Sequence, residues 1–389
     1  MKPSSSILIA GGGIFGVTAA LELRRRGHAV HLFDPGPLPH PRAASTDISK
    51  VIRMDYGPDD FYFELMAEAF GGWDAWNERW KRPLYHQTGM IFITSQPMQP
   101  GGFEYESFVR LQQRRVPVER LDGSAIVRRF PAWSTGRYVD GYFNPRAGWA
   151  ESGAVVEQLA AEARAAGVQI HEGEACAQLL AVGERVQGIL TENGSQYEGD
   201  AVIIAAGPWT AGLLPGLTGI LWPNGQFVYH FAPPDLAAYQ PPHFPVWGAD
   251  IHTSGWYGFP AAQGVVKIAN HGPGWRVDPR DQSEVPAEAE ESFRAFLRGA
   301  LPGLANASAE RSRLCFYCDT FDGNFLIDYV PDRAGLMICA GGSGHGFKFA
   351  PVLGSITADV LERKPNRFAP RFAWRQPEKK VTGQIVTRK

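Results

Sequence analysis
The chain has 389 residues, enough for two or three domains around a sizeable core. A net charge of −2 and a pI of about 6.6 give no electrostatic case for a nucleic-acid partner, and no run approaches the roughly 20 apolar residues of a membrane span. Cys176, Cys315, Cys318 and Cys339 in so long a chain make no disulfide framework. The first apolar segment runs into a glycine loop instead of a cleavage site, so a cytoplasmic protein is expected.

Residues 7–10 predict a short buried strand, followed at once by Gly11-Gly12-Gly13-Ile14-Phe15-Gly16 and a helix-period run over 17–26 closed by Gly27. In this pattern Gly11 serves the tight turn, Gly13 lets the backbone approach a pyrophosphate, and Gly16 lets helix and strand pack closely. The helix N-terminus directs N–H groups and a partial positive charge at phosphates. A second strand over 29–33 ends in Asp34, placed to accept from both hydroxyls of an adenosine ribose and unsuited to a 2′-phosphate.

Residues 59–80 predict an amphipathic helix whose stripe of Phe61, Trp73, Trp76 and Trp80 reads as core. A strand over 88–94 and a helix over 103–115 follow. The helix at 151–166, Gly167 and the strand at 168–170 form a second helix–glycine–strand unit, as a doubly wound sheet requires. Residues 177–200 alternate as a meander turning at Asn193-Gly194, and 201–205 is a buried strand. Between 220 and 314, aromatic strands at 226–231, 255–260 and 265–270 predict a mainly antiparallel sheet, interrupted by a helix over 286–298. A strand at 336–340, Gly341-Gly-Ser-Gly-His-Gly346 and a helix over 352–362 restore the α/β pattern. The proline-rich, cationic segment after Lys364 reads as a surface tail.

Two glycine-rich strand–loop–helix units, one at each end of the chain, suit a long dinucleotide such as FAD better than a nicotinamide. One loop holds the pyrophosphate and the other meets the isoalloxazine. The expected fold is α/β in two domains (an α+β arrangement overall). A Rossmann-like FAD-binding domain is assembled from discontinuous segments 1–85, 140–218 and 315–364. A mainly antiparallel substrate domain, 86–139 and 219–314, is inserted, and 365–389 is a C-terminal tail.

Three stretches carry a resemblance: Ser312-Arg-Leu-Cys-Phe-Tyr-Cys-Asp-Thr-Phe-Asp-Gly-Asn-Phe-Leu-Ile-Asp328 followed by Ala340-Gly-Gly-Ser-Gly-His-Gly-Phe-Lys-Phe-Ala350; Ser49-Lys-Val-Ile-Arg-Met-Asp-Tyr-Gly57; and Tyr257-Gly-Phe-Pro260 with Val266-Lys-Ile-Ala-Asn-His271. The chain is similar in them to the monomeric sarcosine oxidase family of flavin amine oxidases, which includes N-methyltryptophan, pipecolate and fructosyl-amino-acid oxidases. The resemblance implies FAD-dependent oxidation of a secondary (N-substituted or cyclic) amino acid. An electron pair passes to flavin N5 to give an imine, and O2 reoxidises the flavin to yield H2O2.

The same resemblance implies the site. Cys315 carries the flavin through a thioether, which calls for a cationic surrounding of the kind Arg313 could supply. Lys267 promotes reduction of O2 by electrostatics, His271 and Tyr317 stand on the substrate side, with Tyr257 as a further wall, and Arg53 and Lys348 clamp the substrate carboxylate. Gly11, Gly13, Ile14, Phe15, Gly16, Asp34, Ser45, Ser49, Lys50, Cys315, Gly344, Gly346 and Lys348 hold the cofactor, and no metal is required. Lys50 stands where sarcosine oxidases have arginine and fructosyl-amino-acid oxidases commonly have lysine. Bland alternatives remain at single residues: a buried or zinc-like Cys315-x-x-Cys318, a Lys267 with its head in solvent, a structural His271, and core tyrosines. The expected partners are a small amino acid and O2, with no nucleic acid and no membrane, in a monomer or weak homo-oligomer. Rival activities are a same-fold dehydrogenase passing electrons to a carrier, a fructosyl-amino-acid oxidase, and a non-catalytic FAD-binding electron relay.

Overall fold
A computed structural model describes residues 4–281 and 285–377. Its organising strand is Ser6–Ala10, an apolar run buried from both faces as a central parallel strand must be. It pairs in parallel with Ala29–Asp34 on one side and Ala201–Ile204 on the other, so that Ile9 faces both Leu32 and Ile203. Gln169–Glu172 and Leu336–Ala340 extend the sheet in parallel, and Leu326–Tyr329 closes one edge antiparallel, giving six strands. The helix Ile14–Arg25 packs against both Ser152–Ala165 and Ala350–Glu362. The meander at Cys176–Val182, Arg185–Thr191 and Gln196–Glu198 is a separate antiparallel sheet.

A nine-stranded sheet forms the second body, antiparallel except where Val246–Ala249 runs parallel to Met90–Thr94. Helix Ala287–Ala300 lays Phe293, Phe296 and Leu297 against Trp247 and Trp256 of this sheet. Two of its strands cut across the expected domain limits. Asp140–Asn144 pairs with Met90–Thr94, and Ser308–Thr320 pairs along its whole length with Leu221–Ala232. Cys315 therefore sits on the nine-stranded sheet, not on the six-stranded parallel one. The short strands in sequence hid this because a long ladder between two half-polar segments exists only through its partner. A three-stranded sheet of Lys50–Ile52, Gly148–Ala150 and Tyr85–His86 lies apart from both.

The aromatic stripe is core: Leu65, Met66, Ala69 and Trp73 of helix Asp60–Arg79 are fully buried. The Trp73 indole N–H also donates to the Lys348 carbonyl at 2.8 Å, tying the helix to the C-terminal glycine segment. The expected surface tail is corrected over its described part. Phe368 and Phe372 belong to the main core, Arg371 pairs with Asp59 at 2.9 Å and Arg375 with Asp322 at 2.7 Å. Residues 378–389 of that tail lie outside the described residues. Among the described residues no helix is long and apolar enough to cross a membrane, and no group of three metal-ligating side chains is gathered.

Candidate active site
Helix Ile14–Arg25 starts at Gly13, which has no side chain to cap it, and its first turn holds no acidic residue. Ser45 alone reaches in, its Oγ accepting from the Ile14 N–H at 3.3 Å. The other N–H groups of this first turn are of the kind that suits an anion. Gly13, Ile14 and Phe15 line a cavity of about 480 Å³ whose walls also include Asp34, Lys50, Tyr317, Gly344 and Gly346. The two glycine segments thus meet in one groove, and a methyl at Gly346 would press to 2.9 Å from the Phe15 ring. Gly11 holds φ at +109°, where a side chain would also strike the Ala205 carbonyl, and a methyl at Gly16 would collide with the Gly11 carbonyl. Asp34 accepts from the Gly12 N–H at 2.8 Å and the Gly36 N–H at 3.1 Å. Burial nevertheless raises its carboxyl. A mostly apolar groove with a bare helix start and a carboxylate in its walls fits FAD.

Lys50 reaches from the small three-stranded sheet to Cys315, its Nζ donating to Sγ at 3.7 Å. The cation beside this thiol is therefore Lys50. Arg313, proposed from sequence, turns instead to the Thr46 and Ala43 carbonyls. Cys315 is buried with Tyr317 and Tyr257 about it, and the two tyrosine hydroxyls stand 3.4 Å apart. Cys318 lines the groove, but burial pushes its thiol up to about 12, which keeps it from the thiolate form that alkylation needs.

Lys267, on strand Val266–Asn270, is 2% exposed, so its head is not in solvent. Its Nζ donates to the Ser49 carbonyl at 2.6 Å and pairs with Asp47 Oδ2 at 2.7 Å, with the Phe259 ring 4.8 Å away. Burial lowers the ammonium to about 8 although Asp47 pulls the other way. Burial alone would raise Asp47, yet Lys267, His230 and Lys50 hold it far below the usual carboxylate range.

Arg53 is caged by aromatic rings, its Cζ 5.2 Å from the Tyr56 centroid and 5.3 Å from that of Phe103. Its Nη1 is buried with no hydrogen-bond partner among the described residues. Lys348 stands against the same Tyr56, donating to its hydroxyl at 3.1 Å and to the His345 carbonyl at 2.9 Å. Two basic side chains thus stand against one tyrosine. The fully buried Asp55 accepts from Tyr142 at 2.8 Å and from Asn144; burial raises it.

The sequence-derived residues fall into three neighbourhoods. Gly11, Gly13, Ile14, Phe15, Asp34, Ser45, Lys50, Tyr317, Gly344 and Gly346 line the groove. Gly16 packs behind it against Gly11, and Cys315 and His271 are outside its lining, Cys315 reached by Lys50 and the His271 ring 6.1 Å from Tyr317. Arg53 and Lys348 gather at Tyr56. Ser49 serves Lys267 through its carbonyl, while its own Oγ is buried without a partner among the described residues. Sequence reasoning gave Asp47, His230 and Tyr56 no role. The lysine on an apolar strand signalled either a charge facing a site or a head in solvent, and gave no sign of Asp47.

Residues 6–360 match the family described as FAD dependent oxidoreductase (DAO). The chain is 27% identical over 396 residues to the monomeric sarcosine oxidase of Bacillus sp. (strain B-0618), covering 100% of both. It is 28% identical over 374 residues to an N-methyl-L-tryptophan oxidase of Salmonella arizonae, covering 92% of this chain and 95% of the relative. The fold superposes on the deglycating fructosamine oxidase (Amadoriase II) of Aspergillus fumigatus with a TM-score of 0.83 and 27% identity, over 96% of this chain and 90% of the other.

Proposed function
This chain belongs to the DAO family of FAD-dependent oxidoreductases, and we propose that it is an oxidase of a secondary, N-substituted or cyclic, amino acid. The relatives support an amino-acid oxidase using O2. The observation that supports the substrate class is the buried Nη1 of Arg53, without a hydrogen-bond partner among the described residues, on a residue that stands with Lys348 against Tyr56. A donor left unmet inside a protein costs about 1–3 kcal/mol, and a substrate carboxylate would meet it.

FAD, when bound, supplies the two-electron chemistry that side chains lack. The Gly11–Gly16 segment and the bare helix start would hold its pyrophosphate, Asp34 its ribose, and Ser45, Ser49, Lys50, Gly344, Gly346 and the Lys348 backbone its remaining length. Cys315 would carry it covalently, supported by the Lys50 ammonium at the sulfur. Arg53 and Lys348 dock the carboxylate and so orient the neighbouring C–N bond, with Tyr317, Tyr257 and His271 as walls. No strong base is needed when the amine binds neutral. Lys267 presents its ammonium where oxygen becomes negative. Overall, the amine loses two electrons and two protons to become an imine, which water hydrolyses, and O2 gains the same to become H2O2. A cytoplasmic location is in keeping with four unpaired cysteines, as is action as a monomer or weak homo-oligomer with a small-molecule partner.

A fructosyl amino acid is the second reading, favoured by the fructosamine oxidase likeness and by lysine at position 50. An anaerobic screen of N-methyl amino acids, pipecolate and fructosyl amino acids tests both, read by loss of the flavin band near roughly 450 nm and by peroxide on admitting air. Silence across all three classes would overturn the proposal. Lys267→Met separates oxidase from dehydrogenase, because only an oxidase loses its oxygen step while keeping substrate reduction. An electron relay predicts reduction indifferent to Arg53→Ala.

A further inference from the structure
A second cavity of about 430 Å³ has Asp47, His230, Arg311 and Arg313 in its walls and shares no lining residue with the first. His230 lies on Leu221–Ala232 directly opposite Lys267 in the strand register, so the two side chains leave the sheet side by side. Asp47 bridges them, Oδ2 at 2.7 Å from Lys267 Nζ and Oδ1 at 3.1 Å from His230 Nε2. The imidazole is 2% exposed, and its Nδ1 has no hydrogen-bond partner among the described residues. A continuous chain of polar contacts therefore joins the second cavity to the buried ammonium.

Proton accounting gives that chain a task. Oxidation of the C–N bond releases two electrons and two protons, and reduction of O2 to H2O2 consumes two of each. The events are separate in time, so protons must be handed out and brought back between them. We propose that His230 and Asp47 form the proton path by which the second cavity reloads Lys267 after it has protonated reduced oxygen. Lys267 gives up one ammonium proton and becomes an amine. Asp47 passes it the proton from His230 Nε2–H in concert, remaining a carboxylate at rest; His230 takes a proton at Nδ1 from the cavity, and a turn of the ring brings that N–H back to Asp47 for the next cycle. No bond to carbon changes, and the only oxidant is O2. An ammonium at about 8 can both release and regain a proton near neutral pH. The other charged or titratable groups facing the path are Lys50 and Cys315 at Lys267, Arg313 at Asp47, and Arg311 and Glu151 at the cavity.

This inference rests on the oxidase reading, and stopped-flow kinetics of the holoenzyme separates the two half-reactions. His230→Gln keeps an N–H for Asp47 but cannot relay; its oxygen step should slow at least about tenfold while anaerobic substrate reduction is spared. Added imidazole, for which the cavity has room, should restore the oxygen step in His230→Ala. An unchanged oxygen step, both steps falling together, or no response to imidazole would overturn the path. Nitrogen-15 spectra of the resting holoenzyme supply a readout apart from turnover: the His230 signals should move on Lys267→Met, and signals that stay put would refute the coupling. If the wild-type enzyme consumes no O2 with any substrate, the oxidase reading fails instead, and the spectra still judge the coupling.

Discussion
Lys267→Met and Asp47→Asn remove opposite halves of one buried pair, and their stabilities should depend on pH with opposite signs. At 2.7 Å and an effective dielectric constant of about 20, the attraction is about 6 kcal/mol. Burial offsets much of it. Lys267 lies at about 8 where lysine is ordinarily 10.5, equivalent to about 3 kcal/mol against the ammonium. In Asp47→Asn the lysine loses its counter-ion and becomes a folded-state amine, while the unfolded chain stays protonated up to about 10.5. The unfolded state then binds more protons, so this variant should gain stability as pH rises from 7 towards that limit, by about 1.4 kcal/mol per unit.

In Lys267→Met the carboxylate keeps only His230 and the more distant Lys50 and Arg313. The folded state then takes up a proton on Asp47 that the unfolded chain, ionised above about 4, does not bind. Stability should therefore rise as pH falls from 7 towards about 4, with a similar slope. At pH 7 each variant should lie about 3–5 kcal/mol below wild type. The wild type is the baseline: its lysine adds stability only as pH climbs from about 8 to 10.5. Its aspartate, held low, withdraws stability as pH drops below the ordinary 3.8. Urea denaturation across pH 5–9 (roughly the span in which these slopes separate) is the assay. Slopes of the same sign, or two flat profiles, would refute the idea of a desolvated ion pair here.

Arg53→Ala should raise KM for carboxylate substrates by about 10- to 100-fold, the loss of one or two charge-assisted hydrogen bonds, while an ester analogue should be affected little; equal losses for both would remove Arg53 from carboxylate binding. Cys315→Ala should release all flavin on acid precipitation, whereas Cys318→Ala should retain it in the pellet; the converse would move the attachment to the groove-lining thiol. Phe372→Ala should cost about 3–5 kcal/mol in chemical denaturation, against about 0.5 or less if this segment were the surface tail its composition suggests.

The dinucleotide end was legible because its determinants are local. A strand, three spaced glycines, an uncapped helix and an acid at the next strand's end lie within one short stretch, and their geometry follows from backbone sterics and the helix dipole. The aromatic helix was legible for the same reason, since its period alone sorts Trp73 inward. The C-terminal segment misled because proline and arginine outweigh two phenylalanines in composition, although Phe368 and Phe372 supply the burial. The cation at Cys315 was assigned to Arg313, which lies two residues away on the same strand face, but its guanidinium is taken by the Thr46 and Ala43 carbonyls. Lys50, brought by another sheet, arrived instead.

By itself, then, the sequence determined the strand, glycine loop and helix at the start of the chain, Asp34 at the end of the next strand, and the two-sheet class. Tertiary structure alone decided that Lys267 is paired with Asp47, that His230 shares this acid, and that Arg53 and Lys348 converge on Tyr56. The physical reason is range. Turns and helix ends are set by neighbouring backbone, whereas a buried charge is satisfied by whichever group strand pairing carries to within about 3 Å, the reach of a hydrogen bond.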